Sequence, residues 1–115
     1  VRPKAKGHGK QNQIEGNIET GQSVIVIEDL VSTGNSSLIA VDALREAGCI
    51  VKGMVAILSY GFDIARKNFL EHKCPLVTLS DYNAILDKAI ESNYIKSSDL
   101  ESLQTWRENP SEWGQ

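Results

Sequence analysis

The chain has 115 residues, the size of one compact domain, and its 41% hydrophobic and 23% charged content is an ordinary globular balance that argues against wholesale disorder. Twelve basic against fifteen acidic side chains leave a formal net charge of −3, which excludes a broadly basic nucleic-acid binder without excluding a local anion site. No apolar run approaches the roughly 20 residues of a membrane helix, and the charged opening Val1-Arg2-Pro3-Lys4 has no apolar segment of a signal peptide behind it.

Residues 1–22 are polar and rich in glycine, and Gly7-His8-Gly9-Lys10-Gln11-Asn12 reads as a mobile loop, with strand pairing conceivable only near Ile14 to Ile18. Ser23-Val24-Ile25-Val26-Ile27 is an uninterrupted β-branched run that predicts a strand buried on both faces, ending in Glu28-Asp29. Ser32-Thr33-Gly34-Asn35-Ser36 follows as a loop with N-cap chemistry. Leu38, Val41, Leu44 and Ala47 then recur at helical spacing until Gly48 stops the helix. Val51 to Leu58 predicts a second strand, and residues 61–73 a helix with Phe62, Ala65 and Phe69 on one face. Pro75 to Leu79 predicts a third strand. Ser80 is placed to cap a helix carrying Ile85, Leu86, Ala89 and Ile90. Ser98 and Glu101 fit a capping box for a last helix through Leu100, Leu103 and Trp106, which Asn109-Pro110 ends.

Strand–helix alternation with such short connections predicts an α/β fold with a parallel sheet. The segment 1–115 divides into a basic loop and its flanks (1–22), an α/β core (23–109) and a tail (110–115). Three strands make a thin sheet, and the chain opens without Met inside a basic stretch; both features read as a piece of a longer protein. Cys49 and Cys74 lie among apolar residues. They could pair, but buried reduced thiols in a cytosolic protein fit better. His72 beside Lys73 reads as a solvated or capping residue, Trp106 as the anchor of the last helix and Trp113 as part of a loose tail. Tyr60 and Phe62 suit either a base pocket or the core.

The chemistry concentrates in the stretch from Val24 to Ser36. In an open α/β sheet, ligands bind beyond the carboxyl ends of the strands. The first strand therefore carries Glu28 and Asp29 to that edge, and the chain passes straight into a helix N-terminus. Backbone N–H groups there, with the hydroxyls of Ser32, Thr33 and Ser36, suit a phosphate. Two carboxylates would repel that phosphate but accept hydrogen bonds from a polyol, so a phosphorylated sugar satisfies both halves. No Gly-Lys-Ser/Thr closes the loop as in a Walker A motif, and G-x-G-x-x-G is absent. Two acids at a strand end, taken alone, are an ordinary feature; the full thirteen-residue pattern is not.

That pattern (apolar strand, two acids, two apolar residues, Ser/Thr, a small residue, Gly) resembles the phosphoribosyl-pyrophosphate (PRPP) signature of the type I phosphoribosyltransferases. The resemblance implies their three-layer, Rossmann-like parallel sheet, with an amino-terminal part absent here. Arg2-Pro3-Lys4-Ala5-Lys6-Gly7-His8-Gly9-Lys10 is similar to the basic catalytic loop of the orotate phosphoribosyltransferases. Asn12 to Gly16 and the tail from Leu103 to Pro110 resemble the Gram-positive type of that subfamily.

The resemblance implies transfer of phosphoribose from PRPP to orotate, giving orotidine 5′-monophosphate and pyrophosphate in pyrimidine synthesis. It implies Mg²⁺ carried mainly by PRPP oxygens rather than a protein metal cage, a homodimer whose basic loop reaches the partner's site, a cytoplasmic location, and no nucleic-acid or membrane partner. The implied catalytic residues are Lys6, His8 and Asp29. PRPP would be bound by Arg2, Lys6, His8, Glu28, Asp29 and the run Leu30, Val31, Ser32, Thr33, Gly34, Asn35 and Ser36, with Ser32 also facing orotate. Two departures stand out. Many orotate enzymes carry an arginine after the second core strand, where this chain reads Leu58-Ser59-Tyr60-Gly61, and Pro3 occupies a position that is basic in some relatives. The alternatives are a purine-type phosphoribosyltransferase or a non-catalytic PRPP-binding regulator.

Overall fold

The computed structural model describes residues 1–2 and 13–113. Its elements alternate as expected: β1 (Ser23–Val31), α1 (Asn35–Glu46), β2 (Ile50–Ser59), α2 (Asp63–Glu71), β3 (Leu76–Asp81), α3 (Tyr82–Glu91), a short 3₁₀ turn (Ser97–Asp99) and α4 (Leu100–Glu108). The three strands form one parallel sheet in the order β1-β2-β3. Residues near Ile14 to Ile18 form no strand. This stretch instead meets the core through Gly21 N–H to the Gly48 carbonyl and Ile50 N–H to the Gln22 carbonyl, each 2.8 Å.

The core lies on one face of the sheet. Leu38 and Val41 of α1, Ala65 and Phe69 of α2, and Met54 and Ala56 of β2 are all buried in a single cluster with Val31. Alternation along the strands sends every second side chain to the opposite face. There Ile25, Ile27, Ile57, Val77 and Leu79 remain exposed, Ile27 by 75% and Leu79 by 74%. The β-branched run of β1 is therefore covered on one side only among the described residues, contrary to the expectation of burial on both. Continuous apolar sequence shows that a strand can be buried twice over; whether it is depends on elements outside its own sequence. A register shift between Val24 and Ile25 moves their partners from Val51 to Gly53. Lys52 is left as an extra residue in β2, and Val51 and Met54 both point inward.

The helix ends correct the sequence reading in detail. Gly34, in the left-handed region at φ 86°, is the N-cap of α1, and no side chain caps that helix. Gly48 stops α1 as predicted. Its N–H reaches the Arg45 carbonyl and that of Cys49 the Leu44 carbonyl, the paired pattern of a Schellman end. Ser80 lies inside β3; Asp81 caps α3 instead, its Oδ1 accepting from Ala84 N–H at 2.9 Å. Ser98 and Glu101 do not open the last helix: Asp99 is the N-cap of α4 without a side-chain cap, and its Oδ2 instead accepts from Lys96 N–H at 3.1 Å at the head of the 3₁₀ turn.

Trp106 anchors α4 as expected, packed among Tyr60, Phe62 and Tyr82. Burial, then the neighbouring Tyr60, pushes the Tyr82 hydroxyl above its usual value. Trp113 is not loose: its indole N–H donates to the Ser102 carbonyl at 2.9 Å. His72 caps α2, with Nδ1 2.8 Å from the Asn68 carbonyl and Nε2 3.5 Å from Asp42. Cys49 and Cys74 are free and buried. Burial pushes the Cys74 thiol up, against the opposing charge of Arg45.

Candidate functional site

Strand β1 runs two residues beyond the two acids, which consequently sit within the strand rather than past its end. Successive strand residues face opposite ways, and the two acids are held differently. Glu28 is half-buried and fully engaged. Its Oε2 accepts from the Ser37 hydroxyl at 2.8 Å and its Oε1 from Asp29 N–H at 3.0 Å. Ser37, in the first turn of α1, is itself buried, so this bond ties the acid to the helix it precedes. Asp29 is exposed, with Oδ1 accepting from Leu30 N–H at 2.7 Å. Hydrogen bonding with the Glu28 carboxyl, and then with the Leu30 amide, holds the Asp29 carboxyl below its ordinary value. It is thus an ionised acceptor open to a ligand's hydroxyls.

The loop after β1 turns sharply at Gly34. A Cβ there would stand 2.7 Å from the Phe69 ring, so both the backbone angle and the close approach of α2 require glycine. Asn68, one residue before Phe69, donates from Nδ2 to the Thr33 carbonyl at 3.1 Å and to Asn35 Oδ1 at 3.3 Å. The loop is thereby fixed from behind by α2. In front it is open: Ser32, Asn35 and Ser36 are exposed, and α1 begins with no side-chain cap and no acid in its first turn. Asn35 N–H donates to Thr33 Oγ1 at 3.4 Å, and the amides that follow, with the positive end of the helix dipole, suit a phosphate.

The structure therefore gathers Glu28, Asp29, Ser32, Thr33, Gly34, Asn35 and Ser36 at one sheet edge. Leu30 is partly exposed beside them. Val31 is different: it is fully buried in the core and its carbonyl accepts from Tyr60 N–H at 3.1 Å, so it has no surface for a ligand. Arg2 forms an ion pair with Glu15 and a backbone bond to Gln13; none of the described contacts joins it to the loop. Lys6 and His8 lie outside the described residues. Ser37 and Asn68 went unmarked in the sequence, and Phe69 was read only as part of the apolar face of its helix. Only Ser37 left a signal there, a hydroxyl four residues before Val41 on the apolar stripe of its helix.

Beside the loop is a cleft of about 580 Å³ bounded by Ser32, Thr33, Phe62 and Arg107. A larger, apolar cavity of about 870 Å³ lies under the turn from α2 to β3, lined by Phe69, Leu70 and Leu76, away from both acids. Among the described residues no three metal-ligating side chains converge. The donors at the sheet edge are two adjacent carboxylates, a set that suits a hydrated Mg²⁺ arriving on substrate oxygens.

No protein-family model matches the chain. It is 51% identical over 114 residues to orotate phosphoribosyltransferase from Bacillus caldolyticus, covering 99% of this chain and 55% of that protein. The chain spans about half the length of the curated relatives it matches. Among solved structures, the Leishmania donovani UMP synthase superposes with a TM-score of 0.71 at 29% identity, covering 83% of this chain and 21% of that one. Orotate phosphoribosyltransferase from Aeropyrum pernix superposes with a TM-score of 0.66 at 32% identity over 76% of this chain and 49% of that one. The parallel sheet and these likenesses agree: the chain is similar to the carboxyl-terminal part of the orotate phosphoribosyltransferases and has the α/β fold of its type I phosphoribosyltransferase neighbours.

Proposed function

We propose that this chain supplies the phosphoribose-binding half of an enzyme that joins orotate to PRPP, releasing pyrophosphate. The observation that carries the reading is the uncapped, glycine-headed start of α1, tied through Ser37 to Glu28 and following five residues after an exposed Asp29 whose carboxyl is held below its ordinary value. In this reading the amides of α1, with the Ser32, Thr33 and Ser36 hydroxyls, hold the 5-phosphate, and Asp29 accepts from the ribose hydroxyls. Glu28, already committed to Ser37, sets the position of Asp29 and of the strand end.

The reaction breaks the bond between the anomeric carbon and a pyrophosphate oxygen, whose electron pair leaves with pyrophosphate. A ring nitrogen of orotate supplies the pair for the new bond and gives up its proton. Positive charge grows on the ribose as it separates, and the nearby Asp29 carboxylate stabilises it. Mg²⁺ carried on PRPP oxygens supplies neutralising charge for the leaving group. The roles of Lys6 and His8, which would meet the departing pyrophosphate, and of Arg2 rest on the motif. So do the homodimer, with its basic loop crossing to the partner's site, and the cytoplasmic location.

Calorimetric titration of PRPP with Mg²⁺ into the chain tests the reading. Saturable binding is expected, weakened by about tenfold or more in Asp29→Asn, which removes a charged acceptor without changing shape. A folded chain that ignores PRPP, or an Asp29→Asn variant that binds it equally well, would sink the assignment.

A further inference from the structure

Asn68 of α2, half-buried, reaches the turn between β1 and α1, where its Nδ2 donates to two acceptors. These are the Thr33 carbonyl at 3.1 Å and Asn35 Oδ1 at 3.3 Å. One end of this pair of contacts has a single possible polarity. A backbone carbonyl only accepts, so the Asn68 atom that faces Thr33 is the nitrogen. An amide nitrogen only donates, so the Asn35 atom that meets it is the oxygen. The polarity of the Thr33 carbonyl is thus handed through Asn68 to Asn35 and fixes which way the Asn35 amide lies.

The result is a donor on the outer side. With Oδ1 turned to Asn68, the Asn35 Nδ2 carries two N–H groups on the side away from α2, and no hydrogen bond among the described residues uses them. Asn35 is exposed and is the first residue of α1, between Gly34 and Ser36. An asparagine with no such neighbour is free to present its oxygen instead, an acceptor where a phosphate needs donors. The helix that carries Asn68 is itself fixed against this loop. Phe69 packs on Gly34 so closely that an added Cβ would stand 2.7 Å from its ring. His72 bridges the Asn68 carbonyl, 2.8 Å from Nδ1, and Asp42 of α1, 3.5 Å from Nε2.

Resting on the function proposed above, we infer that Asn68 is a positioning residue for PRPP: it turns the Asn35 amide so that its N–H groups, not its oxygen, meet the phosphoryl oxygens. The test joins calorimetry of PRPP with Mg²⁺ on the chain to ¹⁵N NMR of the Asn35 side-chain amide. In wild type that amide signal should shift as PRPP is added. Asn35→Ala should weaken PRPP roughly three- to tenfold. Asn68→Ala should weaken it by a similar factor in the wild-type background and hardly at all when Asn35 is already alanine. Asn68→Asp keeps the shape but only accepts, so it should draw the Asn35 nitrogen inward; the amide signal should then ignore PRPP even at saturation.

Additive losses in the Asn35 and Asn68 cycle would mean that Asn68 serves only to hold the Thr33 carbonyl. An Asn35→Ala variant that binds PRPP like wild type, or a wild-type amide signal indifferent to PRPP, would mean that the amide does not meet the ligand. Each of these overturns the inference and leaves the phosphoribose reading standing. Asn35 is exposed, so its alanine variant and the wild-type amide signal decide the matter even if the Asn68 variants fail to fold. A folded wild-type chain that binds no PRPP overturns both.

Discussion

Two loops leave the same edge of the sheet and have been built in opposite ways. After β1 the chain withholds its own caps: Gly34 heads α1 without a capping side chain, no acid sits in the first turn, and the support comes from behind, through Asn68 and Phe69 of α2. After β2 the chain fills its own turn. Tyr60 packs 5.5 Å from Phe62 and 5.3 Å from Trp106 between ring centroids, Asp63 occupies the first turn of α2, and Arg107 takes the Tyr60 and Gly61 carbonyls. Every helix start has free amides. Neither α1 nor α2 has a side-chain cap; what suits the start of α1 to the proposed phosphate site is that it carries no acid in its first turn and has its backbone held from behind.

Glycine substitution should separate the loops most strongly. Gly34→Ala combines a disfavoured left-handed backbone with a Cβ 2.7 Å from a buried aromatic ring, and should cost about 2–4 kcal/mol from strain and overpacking together. Gly61→Ala has the same kind of angle, φ 70°, but its Cβ meets only the far end of the Arg107 side chain, so about 1 kcal/mol is expected. Urea unfolding of the two variants checks the ordering. The double variant Gly34→Ala with Phe69→Leu should lose less than the sum of its parts, because the smaller side chain relieves the clash. Equal costs for the two alanines would dissolve the distinction drawn between the loops.

The first loop was readable because its chemistry is contiguous. Strand, acids, hydroxyls, glycine and helix follow one another, and an uninterrupted β-branched run handing over to a period-3.6 run locates the sheet edge. Its supports were not readable. Asn68 and Phe69 reach it from another helix, and nothing in their local sequence says where that helix will lie. The burial of Val31 was hidden for a related reason: counting along the motif gives no sign that the strand's last residue turns into the core. The second loop was legible only in part: Tyr60 and Phe62 suited either a base pocket or the core. Arg107 lay in the tail from Leu103 to Pro110, and only the packing of Trp106 among Tyr60, Phe62 and Tyr82 carries it over the turn. Exposure of one sheet face was likewise invisible, since Ile25 and Ile27 are as apolar as any doubly buried pair.

Ser37 offers a finer test, because it supports the first loop from within its own helix. Ser37→Ala removes a buried donor from Glu28 and should cost about 1 kcal/mol, at most about 3 if the acid is left charged and unpaired. A purely structural role would end there. If the bond also positions the acids, the variant should bind PRPP several-fold more weakly even where it is fully folded, and calorimetry at low temperature separates the two effects. A variant that is destabilised but binds normally would confine Ser37 to packing and leave the fixing of the loop to α2 alone.

The smallest effect concerns protons. The Asp29 carboxyl lies below its ordinary value of 3.8, chiefly through hydrogen bonding with Glu28 and secondarily through the Leu30 amide. A depressed carboxyl contributes stability that is present above its unfolded value and lost as pH falls through the folded one. For a side chain this exposed, solvent screening keeps that contribution slight, so the useful readout is the titration itself. Carbon-detected NMR of the Asp29 carboxyl should show a midpoint below 3.8, and Glu28→Ala should move it upward toward that value by removing the larger cause. PRPP binding should correspondingly persist to lower pH in wild type than in Glu28→Ala. An Asp29 midpoint indifferent to Glu28 would mean that the two acids act separately. Glu28 would then belong with the buried supports of the loop, and Asp29 alone with its open, ligand-facing side.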